Sequence, residues 1–214
     1  MAFFEKNVGV KINTSMDYHF SRETLGRGYM KYFALFALLI IPLYTYLFAT
    51  KESPFYYTIS MIGNQFDYRM GFIVWGVITG FLLTFYIGRL YVLKSFKNAR
   101  GHRLLIWSHV FLILTVAIPA VDHLPFLKKL HMVMAVLFGL SLLTSLYLFI
   151  RYLGEIDQRI SLKSSWMLLI VLGGSLGLFF LLGNTGVFEL FFFFSLTIFL
   201  VILKYWLKPY EKDL

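Results

Sequence analysis

Residues 116–139 read VAIPAVDHLPFLKKLHMVMAVLFG. Two apolar runs meet here across a short polar corner. Only seven residues separate His123 from His131, and a connection that short makes the flanking helices antiparallel neighbours. Working outward, apolar runs of about 18 to 22 residues recur along the chain, the length that crosses a hydrocarbon core of roughly 30 Å at 1.5 Å per residue. Six are predicted, over 30–50, 70–93, 104–121, 130–150, 166–182 and 190–207. The expected fold is all-α: a polytopic membrane protein whose transmembrane domain, 30–207, is a bundle of six helices between an N-terminal tail (1–29) and a C-terminal tail (208–214).

Composition supports this class. Of 214 residues, 59% are hydrophobic and 14% charged, against about a quarter charged in an ordinary soluble domain. The formal charge of +9 does not form the continuous basic patch that nucleic acid requires, so no nucleic-acid partner is expected. With no cysteine there is no disulfide framework, thiolate metal site or thiol nucleophile. The first twenty residues lack the pattern of a cleaved signal peptide, so the first span is expected to direct insertion. Asn13-Thr14-Ser15 matches a glycosylation sequon by pattern only.

The basic residues alternate by loop. Sixteen of the twenty Lys and Arg lie in the N-terminal segment, the loops after spans 2 and 4, and the C-terminal end; the other four are Lys51, Arg69, Lys128 and Lys129. Basic loops stay cytoplasmic, which predicts a multi-pass protein of the cell membrane with both termini cytoplasmic and the Asp122 corner outside.

Within the spans, Pro42 predicts a kink. Gly76, Gly80, Thr84 and Gly88 recur every four residues, as do Gly173 and Gly177, which predicts close helix packing of the small-xxx-small kind. Ser108, Thr115, Pro119 and Asp122 share a face of span 3 expected to look into the bundle, and His131, Ala135, Gly139, Leu142 and Ser145 repeat the pattern in span 4. The last span, with FFFFSLTIFLVIL, reads as lipid-facing, and KYWLKPYEKDL as an interfacial anchor.

The chemistry-bearing residues gather at the outer corner. Asp122, His123 and His131 could converge on one divalent cation such as zinc, with Ser60, Asn64 and Asp67 of the long outer loop, Asn184 and Glu189 at the same depth to complete a shell or bind a head group. The competing structural reading has the two histidines capping helix ends on loop carbonyls and Asp122 pairing with Lys128 or Lys129. His109 lies too far from His131 in depth to share a haem and is expected to hydrogen-bond a neighbouring helix; His102 and His19 are expected in solvent. No phosphate-binding glycine loop, GxSxG elbow or mid-span acidic pair is present.

TISMIGN with Ser60 and Gly63, Pro119 near the end of span 3, and HMVMAVLFG opening span 4 together resemble the bacterial family catalogued as domain of unknown function 998, which is similar to damage-regulated autophagy modulator-like six-span proteins. The resemblance implies six helices, termini inside, and an outer polar cluster of Ser60, Gly63, Pro119 and His131; it supplies no activity. Met61 stands where an acidic residue commonly follows the serine. The expected function is non-catalytic lipid handling or regulation, with membrane lipids and a membrane protein as partner classes. The alternatives are a metal-dependent membrane-embedded hydrolase acting on an outer-leaflet lipid, and a small-solute transporter or transporter subunit.

Overall fold

A computed structural model describes residues 36–208, and the tail readings, including His19 and the Asn13 sequon, lie outside them. The described residues form helices and turns, without a strand. In chain order the helices are α1 (Phe36–Ala49), α2 (Ile59–Gln65), α3 (Arg69–Leu93), α4 (Ala99–Ala117), α5 (Pro125–Ile156), α6 (Gln158–Leu182) and α7 (Gly186–Leu207). Four of them, α3, α5, α6 and α7, are long and apolar enough to cross a membrane. The described part of α1 is apolar but shorter, and the first turn of α4 carries Arg100, His102 and Arg103. Phe180, Leu181, Ile170 and Trp166 are exposed around α6, a surface suited to lipid tails rather than water.

Local chemistry sets the helix ends. Thr58, Asn98 and Asp157 cap α2, α4 and α6 by accepting backbone N–H bonds from the first turn. At the end of α3 the chain turns through Ser95 (φ 53°). Phe96 N–H reaches Tyr91 C=O, Ser95 N–H reaches Val92 C=O, and the Tyr91 and Phe96 rings meet at 4.8 Å. This is a Schellman motif with its apolar contact, using serine where glycine is usual.

Two connections differ from expectation. The outer loop was expected without structure and instead folds α2, so Ser60 and Gly63 lie on a helix. The basic stretch 151–165 was expected as a loop between spans 4 and 5. The helices instead run through it and meet at Asp157 alone, because Arg151, Glu155 and Lys163 are good helix formers.

Packing runs from α3 to α4, α4 to α5, α5 to α6 and α6 to α7. Trp75 of α3 donates to Thr45 Oγ1 of α1 and packs edge-on to Phe193 of α7, so α3 is the hub. Gly76 and Gly80 do what the spacing predicts, whereas a Cβ on Gly88 would meet Leu105 only at an ordinary 3.8 Å. A Cβ on Gly76 would fall 2.3 Å from Val116, and one on Gly80 2.6 Å from His109 Nδ1. The pair Gly173 and Gly177 does not pack as expected, since nothing among the described residues lies within 4 Å of a Cβ at either position. Gly174 is the close-packed one, 2.4 Å from the Phe191 ring. α7 is also not the lipid-facing helix expected: Phe193, Leu196, Phe199, Leu200 and Leu203 are buried. The outlying helix is α6, with 17% of its most apolar stretch buried against 50% for α3.

Substituting Gly76 by Ala should therefore lower the thermal midpoint in detergent by the equivalent of about 1–3 kcal/mol, the usual cost of overpacking. Gly177→Ala should leave it unchanged or raised, since alanine is the better helix former by about 1 kcal/mol.

Candidate functional site at the Asp122 end

The site is built on the broken end of α4. In a continuing helix the Thr115 carbonyl would accept from the N–H of residue 119. Residue 119 is proline and has none, and Ile118 leaves the helix with ψ 122°. His131, in the second turn of α5, takes over: its Nδ1 lies 2.8 Å from Thr115 O and 3.2 Å from Ile118 O. Two carbonyl acceptors require that Nδ1 carry the proton. The imidazole is 4% exposed and packs beside the Phe72 ring. The Ala117 carbonyl is taken by Arg69, whose Nη2 donates to it while Nη1 donates to Asn64 Oδ1.

From Arg69 the network continues across α2. Asn64 Nδ2 donates to Ser60 O at 2.7 Å, and Ser60 Oγ shares a hydrogen bond with Thr58 Oγ1 at 3.0 Å. At the start of α2, Glu189 Oε2 accepts from Ile59 N–H at 2.6 Å. Beside it Gly186 N–H donates to Tyr57 O at 3.0 Å, an approach so close that a Cβ on Gly186 would lie 2.7 Å from that oxygen. Glu189 thus places a carboxylate at a helix N-terminus from another helix, where it satisfies an orphan donor and meets the favourable end of the dipole.

Ser60, Asn64, His131 and Glu189 therefore belong to one series of hydrogen bonds, joined through the backbones of α2 and α4, that ties α7, α2, α3, α4 and α5 together. Asp122 and His123 do not. Ser108, Thr115 and Asp122 were expected on one inward face, but α4 ends at Ala117 and Asp122 sits in the loop beyond it. Its side chain is 74% exposed and paired with Lys128 at 2.5 Å. That hydrogen bond and the ammonium charge hold the Asp122 carboxyl below the ordinary carboxylate range. Any contribution to stability is present above that range and fades as pH falls through the lowered value. His123 is exposed and makes no hydrogen bond among the described residues.

The expected metal set of Asp122, His123 and His131 is thus not assembled. No group of three His, Cys, Asp or Glu among the described residues is placed to hold an ion, because His131 is turned to the α4 carbonyls and Asp122 outward to Lys128. Ser60 likewise faces Thr58 rather than an imidazole or carboxylate, so no nucleophile and base stand together there. Asp67, in the left-handed region at φ 64°, and Asn184 are exposed. His109 lies, as expected, against a neighbouring helix, with its Nδ1 buried beside the Gly80 backbone of α3. His102 is half-buried rather than solvated, stacked on Phe96 with Nδ1 3.0 Å from Asn98 O.

Arg69 is the residue the sequence reading passed over, counting it only as a loop charge. The available signal was its place at the first position of a span, directly after the polar GNQFDY. Its guanidinium serves two neutral acceptors and forms no ion pair with a described carboxylate, so its charge stands uncompensated at the half-buried end of α3.

No protein-family model, curated protein or solved structure matches this chain.

Replacing His131 by Ala should cost about 1–3 kcal/mol for the carbonyls left without a donor, read as a fall in thermal midpoint. In a Pro119→Ala background, which returns an N–H to residue 119, the same replacement should cost less. The two changes should be non-additive by about 0.5 kcal/mol or more, as for residues sharing one network.

Proposed function

We propose that this is an integral membrane protein of six spans, α1 and α3 to α7, with both termini cytoplasmic, that handles lipid or regulates a membrane partner without catalysis. In this reading the Arg69 end faces outward and seats an anionic lipid head group. The observation that carries it is Arg69: a cation at the level where a span begins, with no carboxylate among the described residues to balance it. A guanidinium offers five N–H donors in a planar fork, and a phosphate oxygen is the acceptor that geometry fits best. Asn64 and the Ala117 carbonyl fix the fork, so little side-chain entropy remains to be lost on binding. Ser60 and His131 bound the same region.

The span count has its own support. α4 follows the basic turn at Lys94 and Lys97 and reaches the Arg69 end at Ala117, so it traverses the same depth as α3 and α5, on which it packs. The orientation rests on the basic ends of the helices, since positive charge is retained on the cytoplasmic side.

Lipid mass spectrometry of the detergent-purified protein is the test. Anionic phospholipid should accompany the wild-type chain, be lost from Arg69→Gln, and be partly kept by Arg69→Lys, which retains charge without the fork. Equal lipid on all three would sink the head-group reading. A transition metal present at about one per chain and absent from both His123→Ala and His131→Ala would replace it with the hydrolase.

A further inference from the structure

The end of the molecule opposite Arg69 holds a cavity of about 690 Å³ between the α3–α4 turn and the last turns of α5. Ser95, Lys97 and Asn98 line one side, and Leu148, Arg151, Tyr152 and Glu155 the other. Its size falls in the range of small-molecule sites, roughly 300–1,000 Å³.

The backbone behind its walls is tied in place, while the Lys97, Arg151 and Glu155 side chains are exposed at its mouth. Tyr152 Oη donates to Lys94 O at 2.8 Å, tying the turn to α5. Phe96 packs at 5.3 Å from both Phe149 and Tyr152 beneath it. Ser145 Oγ donates to Gly101 O and receives the Tyr91 hydroxyl, pinning α4 and α3 to the same face of α5. The strained Ser95 backbone fixes the direction of the segment that carries Lys97.

The charges on these walls are unspent. Neither Lys97 nor Arg151 pairs with Glu155 or with another described carboxylate. Two cations facing one cavity repel each other unless something negative lies between them.

Depth adds a further constraint. α5 has 32 residues, about 48 Å at 1.5 Å each, against a hydrocarbon core of roughly 30 Å. On the six-span reading, its charged last turns, which line the cavity, would stand at the level of phosphates rather than acyl chains.

We propose that this cavity is a second binding site, which takes a phosphate ester between Lys97 and Arg151 while Glu155 accepts from a hydroxyl or ammonium group on the same ligand. Glycerophosphate head groups and soluble phosphate esters share that chemistry. Leu148 and the rings of Phe96 and Tyr152 supply the apolar wall against which the ester's carbon skeleton packs. The site is independent of Arg69, at the other end of α3.

The test uses the full chain in maltoside detergent, free of phospholipid, at fixed ionic strength. Glycerol 3-phosphate and dioctanoyl phosphatidylglycerol are titrated separately by calorimetry. At least one should bind, and Lys97→Gln with Arg151→Gln should weaken that binding by about tenfold or more, as loss of charge-assisted hydrogen bonds does. Arg103→Gln, which removes a neighbouring surface charge outside the cavity, should leave it intact, and Arg69→Gln is titrated beside it to separate lipid held at the opposite end.

Binding of glycerol 3-phosphate identifies a soluble ester as sufficient, and binding of the lipid alone identifies a head group with its glyceride. If neither probe binds, or if Arg103→Gln weakens binding as much as the double variant, the cavity is not the site. If only Arg69→Gln abolishes it, the anion belongs to the opposite end and the present inference fails while the outer reading gains. The thermal midpoint without ligand separates loss of binding from loss of fold, and the conservative pair Lys97→Arg with Arg151→Lys should restore affinity.

Discussion

A helix that ends inside an apolar surrounding must still find donors for its last carbonyls, and at α4 a proline removes one of them. Water could supply the missing donor for a helix in solution; among lipid tails or packed side chains it cannot, and each unsatisfied group is costly. The imidazole of His131 and the guanidinium of Arg69 fill that need. Both come from other helices, so satisfying the end of α4 fixes the positions of α5 and α3 as well. The guanidinium charge of Arg69 also suits the negative end of the α4 dipole.

This account changes the weight of the polar residues at that end. Histidine, serine and glutamate near a membrane surface invite a catalytic interpretation, yet here His131 and Glu189 are occupied in satisfying backbone groups. Glu189 serves an N–H and His131 serves carbonyls. The two tasks mirror each other across the network, with α2 between them. What is left over is charge rather than chemistry: Arg69 keeps a full positive charge after its hydrogen bonds are made. A binding role follows more directly from that arrangement than a covalent one.

Much of the fold was legible in advance because run length alone marks a helix that could cross a lipid core. The glycines of α3 were legible too, since spacing by four places them on one line whatever they touch. The burial of α7 was not. Phe191 to Phe194 and the apolar residues after them surround the helix on every side, so no periodicity distinguishes an inner face. The helical course of 151–165 was hidden by its charge, which marks departure from lipid but not the end of a helix. At the site, His131 and Asp122 matched the structural reading rather than the metal one. The reason lay in Pro119, whose missing N–H could be read from the sequence, but whose replacement donor required knowing the register of α4 against α5. Arg69 was obscured for a different reason: a single arginine at a helix boundary looks like any interfacial charge until its acceptors are seen.

Asp157 is at once the last position of one helix and the cap of the next. Consecutive Cα atoms lie about 3.8 Å apart, so α6 cannot translate away from the end of α5 by more than its own backbone angles permit. α6 is also the helix that the rest of the chain holds least. Its position is therefore governed by covalent attachment at one end and by its contacts with α7, including Gly174 against Phe191, more than by a buried face of its own. A change in bilayer thickness that tilts the long α5 would be carried across this joint to α6 with no intervening segment to absorb it. The pair behaves mechanically as a bent rod, and the membrane has a grip on both arms.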